Sequence, residues 1–202
     1  MSFYARHVLP RLLDSAMRSR RIMPYRQRIA GAAEGRVLEL GIGSGLNLAH
    51  YGVAVRELIG VDPSPELLAI ARRRAAGRAV TLLEGSAEML PLDDASVDAV
   101  VTTWTLCSVS DAARALAEAR RVLRPGGSLL FVEHGRSPSL RVARWQDRLD
   151  RPWGCLAGGC HLNRRIDALI AASGLSIARL EQGPIAGPPT HTWFYEGRAV
   201  RT

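Results

Sequence analysis

The spacing of apolar residues changes character repeatedly along this chain, and each change predicts an element. Over residues 3–33, Val8, Leu9, Leu12, Leu13, Ala16 and Met17 recur at helical intervals, with Ile22 and Met23 following before Pro24. Two helices are expected there, as a covering layer or as a lid over a ligand. Val37, Leu38 and Leu40 then form a short apolar run suited to a buried strand. Gly41, Gly43 and Gly45 end it, allowing a tight turn and close approach of bare backbone to a ligand. Residues 46–51 predict a short helix whose N–H groups point toward that turn and favour a polar or anionic ligand group. Residues 57–61 predict a second strand, with Asp62 at its carboxyl end. Ser64 caps a helix that begins at Pro65, buries Leu67, Leu68, Ile70 and Ala71, and ends at Gly77.

The alternation continues. Residues 80–84 predict a third strand and residues 85–91 a loop. Residues 97–103 are apolar enough to predict a central fourth strand, with a loop over 104–109. Asp111 starts a helix carrying Ala115, Leu116, Ala119, Val122 and Leu123, and Arg124-Pro125-Gly126-Gly127 is read as a hard stop. Residues 127–133 predict a fifth strand, with His134 just beyond it at the end where open parallel sheets bind ligands. In residues 135–161, Leu140, Val142, Ala143, Trp145 and Leu149 predict a helix, and Trp153, Gly154, Gly158 and Gly159 an irregular cap. Residues 164–173 predict a helix closed by Gly174. Strands over 175–180 and 192–200 follow, joined by a proline- and glycine-rich segment, 183–189. The expected fold is one α/β domain with a mostly parallel sheet and an antiparallel edge. Its parts are N-terminal helices (1–33), a ligand-binding core (34–134), a cap (135–161) and a C-terminal helix with a strand pair (162–202).

Asp62 stands 21 positions after Gly41. An acid so placed after a second strand accepts hydrogen bonds from ribose hydroxyls, which makes the glycine turn and Asp62 a candidate nucleoside site. Composition narrows the chemistry. The 202 residues contain no lysine, so all 27 basic residues are arginine; a Schiff base, a phosphate-loop lysine and a lysine-assisted tyrosine acid are excluded. The net charge of +8 is spread in small groups such as Arg72-Arg73-Arg74, which argues against a nucleic-acid surface. Arg11, Arg18, Arg20 and Arg21 beside an apolar helix face leave a peripheral membrane contact as an alternative. Hydrophobic residues make up 47% and mean hydropathy is zero, as in globular proteins. No apolar run has spanning length, and the first residues lack the features of a secretory signal, so the expected compartment is the cytoplasm.

Three cysteines, Cys107, Cys155 and Cys160, are too few and too odd for a disulfide framework and are read as reduced thiols. Cys155, Cys160 and His161 have soft-ligand character but no evident fourth ligand, so no metal is expected. Cys107 reads as a small packing residue. Trp104, Trp145, Trp153 and Trp193 could wall an apolar acceptor or simply pack.

Four ordered blocks carry a family resemblance: Val-Leu-Glu-Leu-Gly-Ile-Gly-Ser-Gly (37–45), Gly-Val-Asp-Pro-Ser (60–64), Gly-Ser-Ala-Glu-Met-Leu-Pro (85–91) and Leu-Arg-Pro-Gly-Gly-Ser-Leu (123–129). Together they resemble class I S-adenosylmethionine-dependent methyltransferases. Trp-Thr-Leu-Cys-Ser-Val (104–109), Val-Glu-His (132–134), Trp-Gln-Asp-Arg-Leu-Asp-Arg-Pro-Trp (145–153) and Gly-Cys-His-Leu-Asn-Arg (159–164) are similar to methyltransferase-like proteins that S-methylate alkyl thiols. The resemblance implies a seven-stranded, doubly wound, Rossmann-like sheet with N-terminal lid helices. It also implies S-adenosylmethionine as cofactor, leaving S-adenosylhomocysteine as product. By the same resemblance Glu39, Gly41, Gly43 and Gly45 lie beside the cofactor's amino-acid portion, Asp62 and Pro63 at the ribose, Ala87 and Glu88 near the adenine, and Thr103 near the sulfonium methyl. Ser86 departs from the aspartate common there, which shifts the adenine amino contact toward Glu88. The membrane-anchoring segment of animal relatives has no counterpart, implying a soluble enzyme. A dinucleotide site is the rival, but Leu46 occupies the place of its third glycine.

The implied reaction displaces a methyl group onto a small apolar acceptor, foremost a thiol. Oxygen or nitrogen acceptors such as a quinol or lipid precursor are the alternative, as is a non-catalytic binding protein on the same fold. A thiol acceptor must ionise, and His134 and His161 are the candidate bases. The long cap is expected to hold acceptor choice.

Overall fold

Seven strands form one sheet: β1 (Gly35–Leu40), β2 (Val55–Asp62), β3 (Val80–Glu84), β4 (Val97–Thr103), β5 (Leu123–His134), β6 (Ser176–Pro184) and β7 (Trp193–Val200). Among the described residues six α-helices accompany them: α1 (Leu9–Ala16), α2 (Met23–Gly31), α3 (Pro65–Arg74), α4 (Ala112–Val122), α5 (Leu140–Leu156) and α6 (Ile166–Ala172). This computed structural model describes residues 8–202 apart from the side chain of Arg11; residues 1–7, where the first helical stretch was expected to begin, lie outside the described residues.

The strand order is β3-β2-β1-β4-β5-β7-β6, parallel from β3 to β5 and antiparallel at β5–β7 and β7–β6. The chain winds outward from β1 to β3, then returns to β4 on the other side of β1. That reversal opens a crevice above the carboxyl ends of β1 and β4, the place where doubly wound sheets bind ligands.

The near-continuous apolar strands follow from burial on both faces. Leu38, Leu40 and Val100 pack on one face against Ala115, Leu116, Ala119 and Val122 of α4 and Ile166 and Ile170 of α6. Val37, Leu58, Val101 and Val132 pack on the other against Ile29 and Ala30 of α2 and Leu68 of α3. Ser64 Oγ accepts from Leu67 N at 3.2 Å and Asp111 Oδ1 from Arg114 N at 3.0 Å, which caps α3 and α4 at the residues expected. Among the described residues no helix is long and apolar enough to cross a membrane.

Three expectations are corrected. Residues 124–127 do not separate α4 from β5; they lie in the strand, where Gly126 N donates to Arg201 O (2.8 Å) and Arg201 N to Gly127 O (2.9 Å). Hydrogen bonds to the C-terminal segment hold this stretch in the sheet through a left-handed turn at Gly126 (φ +78°), and His134 becomes the strand's last residue. The helix expected over 46–51 is a single 3-10 turn, Leu48–His50, because Asn47 and Tyr51 on either side are both drawn to Glu39. The cap is helical through Leu156, with Pro152 inside α5. Fully buried Gln146 anchors that helix by donating to Gly135 O (3.0 Å) and accepting from Ser137 N (2.9 Å).

Gly197 shows how tightly the antiparallel edge is packed. A Cβ there would strike the Arg179 carbonyl oxygen and come within 2.7 Å of Phe131 Cζ. Gly197→Ala is expected to lower stability by about 1–3 kcal/mol, read from urea unfolding, because neither backbone nor core ring can withdraw.

Candidate active site

The glycine turn is shaped by crowding below and openness above. Gly41 (φ +64°) and Gly45 (φ +79°) occupy the left-handed region, and a Cβ at Gly45 would lie 2.7 Å from Leu48 Cδ1. At Gly43 a Cβ would meet only Gly41 O at 3.8 Å and Asp62 Oδ2 at 4.0 Å. The turn therefore presents an open cradle. Asp62 faces it with an oriented carboxylate: Oδ2 accepts from Gly43 N and Oδ1 from Ser64 N, both at 2.9 Å. Burial raises its pKa, and these two hydrogen bonds oppose the rise. Each oxygen retains a lone pair for a ligand hydroxyl.

Glu39 is fully enclosed beneath the turn. Its carboxylate accepts from Asn47 Nδ2 (2.7 Å) and Tyr51 OH (2.8 Å). Burial pushes its pKa up to about 7, against the hydrogen bonds from Tyr51 and Asn47 and the charge of Arg26. Arg26 Nη1 donates to Asn47 Oδ1 (2.8 Å) and Thr103 Oγ1 (3.3 Å), and its guanidinium lies 4.6 Å from the Trp104 ring centre. Burial lowers the Arg26 pKa to about 10, so it stays cationic at neutral pH.

A second buried acid, Glu133, shapes the loop after β4. It accepts from Thr102 Oγ1 (2.7 Å), Thr105 N (3.0 Å) and Cys107 N (3.2 Å). Burial raises its pKa against those bonds. Within this loop Trp104 adopts φ +56°, an uncommon conformation for a bulky residue and one found where surroundings enforce it. Trp104 N donates to Val132 O at 2.9 Å, and the ring meets Phe194 edge-on.

Above these residues lies a cavity of about 730 Å³, within the usual ~300–1,000 Å³ of small-molecule sites. Gly41–Ser44, Asp62, Pro63 and Thr103 border one end; Cys107, His134, Trp153, Cys160, His191 and Phe194 border the other. Leu9, Leu13 and Met17 of the N-terminal segment cover it. Asp14 fastens α1 to the glycine turn, accepting from Ser44 Oγ (2.5 Å) and Arg74 Nη2 (3.0 Å). Burial alone would raise the Asp14 pKa, but hydrogen bonds from Arg74, Ser44 and Arg18 bring it down to about 2.

Not every residue expected at the site reaches the cavity. Gly41, Gly43, Asp62, Pro63, Thr103 and His134 border it. Glu39 and Gly45 lie beneath as support. Ala87 and Glu88 are not among its lining residues, and the Glu88 carboxylate accepts from Asp111 N at 2.7 Å. His161 also stands apart, with Nδ1 2.9 Å from Asp150 Oδ2. The Cys155, Cys160 and His161 set is not gathered: Cys155 is exposed, while Cys160 packs beside Cys107 and His134. Cys107 is buried, as the packing reading expects, and also borders the cavity. The roles of Arg26, Asn47, Tyr51 and Asp14 depend on contacts between distant segments that no local pattern announces.

A glycine cradle and an oriented acid at the switch point, with Thr103 ending the adjacent strand, fit S-adenosylmethionine. This fold and site define a class I S-adenosylmethionine-dependent methyltransferase. The sequence profile of the methyltransferase domain matches residues 38–131. Over 195 residues the chain is 33% identical to a thiol S-methyltransferase of Homo sapiens, covering 92% of this chain and 79% of that protein. A thiol S-methyltransferase of Rattus norvegicus is 34% identical over 167 residues, which span 80% of this chain and 66% of the rat protein's length. The fold matches a crystal structure from Thermotoga maritima, described as a methyltransferase dependent on S-adenosylmethionine and possibly a histamine N-methyltransferase. The TM-score is 0.66 at 24% identity, covering 98% of this chain and all of that one. The chain belongs to the methyltransferase family that these human and rat proteins share.

Two outcomes follow from the buried acids. Asp62→Ala is expected to weaken S-adenosylmethionine binding by about 1–3 kcal/mol in calorimetry, the scale of leaving hydrogen-bonding groups unpaired. Glu39 tests pH linkage. Its carboxyl ionises at about 7 when folded against 4.5 in the unfolded chain, so the folded state holds the extra proton between those values. Its contribution is fully present below pH 4.5 and is lost as pH rises through 7. Urea unfolding across that window should show the parent losing stability relative to Glu39→Gln.

Proposed function

We propose that this chain transfers the methyl group of S-adenosylmethionine to the sulfur of a small, apolar thiol. The observation that carries the reading is the far end of the cavity, where Trp104, Trp153 and Phe194 surround the only cluster among the described residues of two thiols and an imidazole. The thiol S-methyltransferase activity named for the human and rat relatives supports the same acceptor class.

When bound, S-adenosylmethionine supplies a methyl group already activated by the sulfonium charge. The chain's own task is to hold donor and acceptor in line, and positioning alone accounts for ~7–11 kcal/mol in favourable cases. Asp62 and the glycine cradle hold the donor end. The aromatic walls exclude water and orient the acceptor. Helix α1 serves as a lid, with Asp14 as its latch. Of the two candidate histidines, His134 borders the acceptor end and acts on the thiol, whereas His161 braces Asp150.

The test is an acceptor panel with labelled S-adenosylmethionine and mass detection of product. An alkyl thiol should yield a thioether, at a rate that rises with pH until the bound thiol is ionised; an ordinary thiol does so near pH ~8.5. His134→Ala should reduce the rate at least about tenfold, equivalent to ~1.4 kcal/mol, with donor affinity retained, while His161→Ala stays close to the parent. Methylation of a quinol or amine with no turnover of any thiol would overturn the reading.

A further inference from the structure

Three soft or borderline metal ligands meet at the acceptor end. Cys107 Sγ lies 3.8 Å from Cys160 Sγ, and Cys160 Sγ lies 3.8 Å from His134 Nδ1; one ligand atom from each of the three falls within 4.8 Å of the others. Two thiolates on one tetrahedral zinc ion, each ~2.3 Å from it, stand ~3.8 Å apart, and a thiolate and an imidazole nitrogen ~3.6 Å apart. Two of the three separations in the cluster already match that coordination shell, and the third lies within 4.8 Å.

Backbone contacts bring its members together. Cys107 N donates to Glu133 Oε2, and Cys107 O accepts from His161 N at 2.7 Å, tying the loop after β4 to the segment carrying Cys160. Gly159 (φ +87°) permits that approach, since a Cβ there would lie 3.0 Å from Ser108 O. His134 ends β5 and is 4% exposed; Cys107 is 1% exposed. His134 Nε2 is buried and has no hydrogen-bond partner among the described residues, while Nδ1 faces Cys160 Sγ. Two thiolates balance the charge of a divalent ion, which removes most of the cost of burying it. All three residues border the cavity, so an ion held by them keeps a fourth position for a ligand arriving there.

We propose that Cys107, His134 and Cys160 bind one thiophilic divalent ion of the zinc class, whose open fourth position receives the acceptor thiol as thiolate. The metal site stands on the cluster alone, whereas its use on the acceptor rests on the thiol reading above. On binding, the acceptor's S–H proton leaves to solvent. The thiolate lone pair forms the new S–C bond, the methyl's bond to the donor sulfonium breaks, and that bond's electron pair stays on the donor sulfur. The neutral thioether is a weaker ligand than the thiolate and departs.

The test uses the full chain, stripped with a chelator under a phosphine reductant and titrated with Co²⁺. One equivalent should produce thiolate-to-cobalt charge-transfer absorption with tetrahedral ligand-field bands, displaced by Zn²⁺ and altered by a small alkyl thiol. Cys107→Ala and Cys160→Ala should each bind at least tenfold more weakly, Cys155→Ala should match the parent, and a retained melting shift with S-adenosylmethionine shows that each variant is folded. Absence of the bands, their survival in folded Cys160→Ala, or full thiol turnover by the stripped enzyme overturns the proposal. Cobalt bands as expected, together with an acceptor panel that yields no thioether, uphold the metal site and sink the thiol reading instead.

Discussion

A carboxyl group sealed from solvent has to find its partners inside the protein, and Glu39 draws them from segments that are otherwise separate. Asn47 and Tyr51, flanking the 3-10 turn, donate to Glu39 directly; through Asn47 the network extends to Arg26 of α2 and to Thr103 at the end of β4. Satisfying one acid therefore sets the height of the glycine turn, the position of an N-terminal helix and the direction of a strand end. Leaving any of these groups unpaired in a dry interior costs about 1–3 kcal/mol, which holds the arrangement together before any ligand binds. Glu133 repeats the device one strand along, gathering the backbone of the loop that carries Trp104 and Cys107.

The two acids divide the site between them. Glu39 underlies the donor end, where the requirement is an open backbone surface and a well-oriented Asp62. Glu133 underlies the loop after β4, which brings Cys107 against His134 of β5 and Cys160 beyond α5. Neither acid borders the cavity, yet both decide which groups do.

Much of this was legible in the chain, for reasons of range. The glycine turn, Asp62 and the caps at Ser64 and Asp111 are local signals, each complete within a few residues. The strands were readable because a parallel sheet buried on both faces demands continuous apolar runs. The bounds of β5 were missed because Gly126 and Gly127 are tied to Arg201, far along the chain. The meeting of Cys107 with Cys160, 53 residues apart, is equally invisible to periodicity, and proximity in sequence favoured His161 as the partner of Cys160. Glu88 carries a further contact that its local sequence did not announce: its carboxylate accepts from the backbone of Asp111, 23 residues on.

Helix α1 touches both halves of the cavity, with Asp14 latched at the glycine turn and Leu9 and Leu13 reaching toward Gly158 at the other end. On the proposed function, donor and acceptor share that single cover: a motion that frees one product then opens the way for the other, and a substitution that seats α1 more firmly slows the departure of both, so that a tighter grip on the donor comes with a slower cycle.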